Sequence, residues 1–244
     1  MRVAFLSDIH GNVEALDAVL ADVRKRGVDR IAVLGDIAYR GAEPTRAVEK
    51  VRELAAAGAE VIQGNADLWT VRGVEAGEVP DPFLEIMRRE QEWTAGRLTA
   101  DQVRYLEELP EDIFWDFEGV RIHAFHATPT NLFTAVLPDA SAEVLEGRLM
   151  VKPAVDVYVY GHIHLPYVRY LRGKCVVNTG SVGLPFDGLP QPSYALLEVE
   201  AGRFRVTLER VPYDADRAAE RLRQVDYPNL QMMRVIREAI SPFG

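Results

Sequence analysis

Three times in the first 67 residues, a short apolar run breaks off into a polar turn bearing acidic, imidazole or amide side chains. Val3 to Leu6 runs into Ser7-Asp8-Ile9-His10-Gly11-Asn12, Ile31 to Leu34 into Gly35-Asp36, and Val61-Ile62 into Gly64-Asn65-Ala66-Asp67. Between these runs, Val13, Leu16, Val19, Leu20 and Val23 recur at helical spacing up to Gly27, and Ala47, Val48, Val51, Leu54 and Ala55 do so up to Gly58. Residues three and four apart line one face of a helix, whereas short continuous apolar runs suit strands buried on both faces. The alternation predicts strand–helix–strand–helix–strand, an α/β fold with right-handed parallel crossovers. Its polar turns then share the carboxyl edge of the sheet, where open α/β sheets bind ligands.

Pro80 to Leu109 reads as mostly helical, so an insert over about 70–110 is expected beside the sheet. From Ile113 the pattern turns to strands: Ile113–Phe117, Val120–Phe125, Val155–Tyr160, Tyr167–Leu171, Cys175–Val177, Tyr194–Val199 and Phe204–Leu208. Glu118-Gly119, Arg172-Gly173 and Ala201-Gly202 read as turns between neighbouring strands. Residues 214–242 read as one or two helices, with Met232 and Met233 on a face that docks on the core or on a second subunit. No linker or repeat interrupts the chain, so one domain over 1–244 is expected.

The 28 basic and 37 acidic residues leave a net charge of −9. That balance repels an extended nucleic acid but admits a small phosphorylated molecule, because bound cations can make one cleft locally positive. Cys175 is the single cysteine, so no intrachain disulfide is expected. With no signal-like start and no apolar stretch of about 20 residues, a cytoplasmic protein away from membranes is expected. Assembly stays open, with a homodimer as the working expectation.

Of the five histidines, four lie at or just past the end of an apolar run. Asp8 and His10 are two apart, as are His162 and His164, and in an extended segment such pairs face the same way. A lone Asp or His at a strand end is usually a turn or capping residue. Several converging on one sheet edge need pairing or a metal ion. Carboxylate, imidazole and amide oxygen suit Mn, Fe, Zn or Ni, while the lack of Cys ligands argues against a structural zinc site.

In order, Asp8-x-His10, Gly35-Asp36, Gly64-Asn65-x-Asp67, His126 and Gly161-His162-Ile163-His164 resemble the five signature blocks of the calcineurin-like metallophosphoesterase family. Asn178-Thr179-Gly180-Ser181 resembles the family's Asn-Pro-Gly-Ser segment. The resemblance implies a four-layer αββα sandwich of two mixed β-sheets flanked by helices. It also implies two divalent metal ions, drawn from Mn, Fe, Ni, Co and Zn. Asp8, His10 and His164 would hold one, Asn65, His126 and His162 the other, and Asp36 would bridge them. Asp8, His10, Asp36 and Asn65 would then act through the metals and a bridging hydroxide that attacks phosphorus.

Two positions depart from the family pattern. Ala66 stands where many members carry a His that helps protonate the leaving group, and without a proton donor an alkoxide departs slowly. Some smaller bacterial and archaeal members also lack that His and act on diesters. A phosphodiesterase of a small phosphorylated or nucleotide substrate is therefore expected. The alternatives are a phosphomonoesterase, protein phosphatase or dinucleoside-polyphosphate hydrolase, or a catalytically weak protein-binding scaffold. Ala127 replaces the usual Gly and is strained only at positive φ. Asn12, Arg40 and Asp67 are candidates for substrate contact. Against that, Asn12 and Asp67 suit helix N-caps, and Arg40 suits an exposed loop. Asn178 and Ser181 read as loop-shaping residues. His123, at an odd offset from His126, reads as a core or inter-sheet histidine.

Overall fold

In the computed structural model, which describes residues 1–243, successive residues of the first strand face opposite cores. Ala4 and Leu6 of β1 (Arg2–Leu6) pack with Leu16, Val19, Leu20 and Val23 of α1 (Val13–Lys25). Val3 and Phe5 point the other way, into a core shared with a second sheet. The split repeats in β2 (Arg30–Val33), where Val33 meets Val48 and Val51 of α2 (Pro44–Ala56) and Ala32 faces the second sheet. β3 (Glu60–Val61) is only two residues long and completes three parallel strands. α3 (Asn65–Arg72), α4 (Asp81–Ala95) and α5 (Ala100–Glu107) follow, so the helical stretch starts at Asn65, earlier than periodicity indicated.

β4 (Asp112–Phe117) and β5 (Val120–Phe125) form a hairpin over Glu118 and Gly119. Both turn residues have positive φ (55° and 84°), as a type I′ turn requires. A short helix, α6 (Ala142–Arg148), comes next; no apolar pattern in the sequence signals it. Strands β6 (Val157–Tyr160), β7 (Tyr167–Leu171), β8 (Lys174–Asn178), β9 (Ser193–Glu200) and β10 (Arg203–Arg210) complete the sheets. α7 (Ala215–Gln224) and α8 (Met232–Glu238) close the chain.

The strand orders are β10-β9-β1-β2-β3 and β4-β5-β6-β8-β7, each mixing parallel and antiparallel pairs. Phe5, Ile122, Val157, Cys175 and Leu197 fill the space between the sheets. Leu145 and Leu149, at α6, cover the far face of the second sheet beside Phe125, Tyr158 and Tyr160. The layers are thus helix, sheet, sheet, helix. Met232 and Met233 pack with Leu222 and Leu184, which docks α8 on α7 and the core. Cys175 is fully buried, and burial pushes its thiol up to about 11. Among the described residues no helix is long and apolar enough to cross a membrane.

Backbone hydrogen bonds then stitch the loops at one edge together. Asp8 N–H donates to Gly35 O, His10 N–H to Asp36 O, Gly161 N–H to His126 O and Val182 N–H to Ser7 O. These bonds bring the ends of β1, β2, β5, β6 and β8 side by side.

Candidate metal centre

Seven donor side chains from five loops meet at this edge. Asp8, His10, Asp36 and His164 each offer a ligand-type atom, all within 4.8 Å of one another, and all four are buried. His164 Nε2 lies 3.1 Å from Asp8 Oδ1, and His10 Nε2 lies 3.6 Å from Asp36 Oδ2. On the other side of Asp36, Oδ1 is 3.5 Å from His126 Nε2. Asn65 Oδ1 there is 2.9 Å from His126 Nε2 and 2.7 Å from His162 Nδ1. Asp36 therefore stands between two donor sets, with one carboxylate oxygen toward each.

The backbone that aims these groups is unusual. Asp8, His10, Asp36, Arg40, His162 and His164 have φ between 48° and 74°, six of the eleven positive-φ non-glycine residues among those described. Such conformations cost about 1–3 kcal/mol each and persist where the surroundings over-determine them. The Asp8/His10 and His162/His164 pairs do converge, but not by the expected extended geometry: each pair is two left-handed residues flanking a buried isoleucine. Glycines make room. A Cβ on Gly64 would stand 2.2 Å from Asp36 Oδ1, and one on Gly161 2.6 Å from Asp8 Oδ2. Ala127 has no positive φ and is unstrained.

The donor set fits cations. Backbone carbonyls of Tyr39, Leu34 and Leu184 accept from Nδ1 of His10, His126 and His164, at 2.8, 2.7 and 2.5 Å. A carbonyl only accepts, so Nδ1 carries the proton and Nε2 is left as the ligand atom. His10 Nε2 and His164 Nε2 then face each other at 3.2 Å as two lone pairs. Asp8 Oδ1 is buried without any hydrogen-bond partner, while Oδ2 accepts from the His162 N–H at 3.0 Å. Burial, then the neighbouring imidazoles (His164 for His10, His126 for His162), pushes His10 and His162 down to about 3, which keeps both rings neutral. Burial, then the Asp8 and Asp67 carboxylates, pushes Asp36 well above the ordinary carboxylate range. Opposed lone pairs and crowded carboxylates are what a divalent ion relieves.

The cluster opens into a cavity of about 100 Å³ that Arg40, Ala66, Trp69, Leu184, Phe186 and Phe243 help to line. Arg40 is buried, not the exposed loop residue its position suggested. For Asp67 and Asn12, each read as a substrate contact or a helix cap, the structure shows backbone partners. Asp67 is fully buried and its oxygens accept from the backbone N–H groups of Asp36 (2.7 Å), Gly64 (2.9 Å) and Ile37 (2.9 Å), so it braces the turn around Asp36. Asn12 caps α1 by accepting from Ala15 N–H and donates to Gly183 O, on the wall of a separate cavity. Asn178 donates to Gly161 O, and Ser181 donates to Asp8 O, both shaping loops. His123 packs under Phe114 with its rings 3.9 Å apart, on the face turned away from the other sheet. The orienting carbonyls of Leu34, Tyr39 and Leu184 escaped sequence reasoning, because every residue type carries one.

Comparison with known proteins shows the family. The profile of the "Calcineurin-like phosphoesterase superfamily domain" matches residues 1–202. The chain is 31% identical over 237 residues to the uncharacterized protein MJ0912 of Methanocaldococcus jannaschii, covering 90% of this chain and 91% of that one. It is 26% identical over 210 residues to phosphodiesterase YfcE of Escherichia coli K12, covering 81% and 88%. The crystal structure of a metallophosphoesterase from Sphaerobacter thermophilus superposes with a TM-score of 0.77 at 28% identity, over 98% of this chain and all of that one.

Proposed function

The chain belongs to the calcineurin-like phosphoesterase superfamily, and on that premise we propose that it is a phosphodiesterase of a small phosphorylated molecule working with two divalent ions. Asp8, His10 and His164 would hold one ion, Asn65, His126 and His162 the other, and Asp36 would serve both. The observation that carries this reading is the pair of donor sets on either side of one buried carboxylate. Bound there, the ions supply Lewis acidity toward a phosphoryl oxygen and toward water.

The chain's own residues do the rest. The carbonyls behind His10, His126 and His164 fix each ring so that its free nitrogen faces the centre. Arg40 offers a permanent positive charge to the phosphoryl oxygens at the cavity wall. Ala66, Trp69, Leu184 and Phe186 on the wall offer the leaving group no acid, and the cavity's histidines are engaged as the proposed metal donors, so the leaving group departs with little protonation. That favours esters of acidic alcohols. The diester assignment rests on Ala66 and on the likeness to the E. coli phosphodiesterase.

The test is hydrolysis of bis(p-nitrophenyl) phosphate by protein stripped of metal and reloaded with Mn(II), Ni(II), Co(II) or Fe(II). Activity is expected only after reloading, and Asp36→Asn is expected to lower it by more than about 100-fold while wild-type melting is largely kept. A reloaded protein with no activity on diester or monoester would refute the proposal.

A further inference from the structure

A second cluster of buried polar groups backs the same cavity, and the metal donors do not account for it. Its centre is Arg40, whose φ of 74° turns it off the loop after β2 and into the wall beside Asp36 and His10. Its Nε lies 3.4 Å from Glu90 Oε2, yet neither atom has a hydrogen-bond partner. One terminal nitrogen reaches the Met232 sulfur at 3.6 Å. The Tyr227 hydroxyl, also buried, is unpartnered as well. Glu90 sits in the middle of α4 with no exposure, and its Oε1 accepts from Asn229 Nδ2 at 2.9 Å.

A guanidinium carries five N–H donors, and a buried one normally has them engaged. Among the described residues its one hydrogen bond is a weak one to sulfur, and beyond Glu90 its remaining contact is the Phe243 ring, 5.4 Å from the guanidinium carbon to the ring centroid. Burying so poorly bonded a cation is costly, and it is tolerated when a counter-charge stands close and the free donors await a ligand. Glu90 is that counter-charge, but it does not line the cavity and cannot touch what binds there. Its effect must pass through Arg40.

We propose that Glu90 is a positioning residue: its carboxylate, anchored by Asn229, holds the buried Arg40 guanidinium at the cavity wall with its uncommitted N–H donors toward the phosphoryl oxygens of the substrate. The proposal rests on reading the site as one for phosphate esters. It ties the phosphate grip to two elements outside the metal cluster, the insert helix α4 and the segment leading into α8.

The experiment measures binding of inorganic phosphate to the metal-loaded protein by calorimetry, beside kcat and KM for bis(p-nitrophenyl) phosphate. Wild type, Glu90→Gln, Asn229→Ala, Arg40→Ala and the Arg40→Ala/Glu90→Gln pair are compared. Glu90→Gln is expected to weaken phosphate binding and raise KM by about tenfold, with kcat changed by less than about threefold. Asn229→Ala is expected to shift both in the same direction by a smaller factor. In the Arg40→Ala background, Glu90→Gln is expected to change phosphate affinity by less than about twofold. Unchanged or tighter phosphate binding by Glu90→Gln overturns the proposal, as does full additivity with Arg40→Ala. Should Glu90→Gln not fold, Asn229→Ala carries the same criteria. A wild type that binds phosphate through Arg40 and Glu90 but hydrolyses nothing refutes the hydrolase reading alone. A wild type that does not bind phosphate overturns this inference.

Discussion

Ala66 lies where α3 begins, with its backbone N–H donating to Asp36 Oδ1 at 2.7 Å and its methyl group on the cavity wall. The backbone half of this residue serves the centre, while the side-chain half offers it no proton. Ala66→His restores a group that titrates near neutrality. The rate for a methyl or alkyl leaving group is expected to rise by about 10- to 100-fold in the variant, with little change for p-nitrophenolate. Leaving-group series on the two proteins check this, and parallel slopes would contradict it. The donors themselves were legible in the sequence because hard-ligand residue types recur at successive strand ends. Arg40 was legible as a candidate but its burial was not: its partner Glu90 lies 50 positions away in a helix whose spacing marks only which face is covered. Asp67 stayed open between two readings for a related reason, since an acidic residue near a helix start has the same signature whether it faces ligand or backbone.

The helices that frame the site depend on ends as much as on faces. α5 begins with a capping box in which Thr99 Oγ1 accepts from Gln102 N–H and the Gln102 side chain accepts from Thr99 N–H. Thr99→Ala is expected to lower stability by about 1 kcal/mol, read as a shift in urea midpoint at constant slope, with metal content unchanged. Elements with two agreeing signals were predictable. The hairpins over Glu118-Gly119, Arg172-Gly173 and Ala201-Gly202 had alternation on both sides and glycine in the turn, and all six residues take positive φ. α6 had neither: it is seven residues long, with Leu145 alone buried inside it. The paired ligands show how a right outcome can rest on a wrong geometry. Two-residue spacing brought each pair to one side through left-handed turns, a torsional choice that residue types scarcely announce.

At the scale of the molecule, the donors come from both sheets: Asp8, Asp36 and Asn65 follow strands of one, His126 and the His162/His164 pair strands of the other. The ions proposed here would therefore clamp the two sheets at one edge. Removal with a chelator is expected to lower Tm by about 5–10 °C, as loss of roughly 2–3 kcal/mol of binding free energy from a chain of this size would, and reloading is expected to restore it. Differential scanning calorimetry at fixed protein concentration decides the matter, and an unchanged Tm would show that the sheets hold without the clamp. The opposite end of that seam can be watched independently. Cys175 is the single thiol, sealed between the sheets and hard to ionise. Reagents that attack thiolates can reach it only when the sandwich parts, so its alkylation rate is a clock for that opening, already wired into the native chain and needing no label.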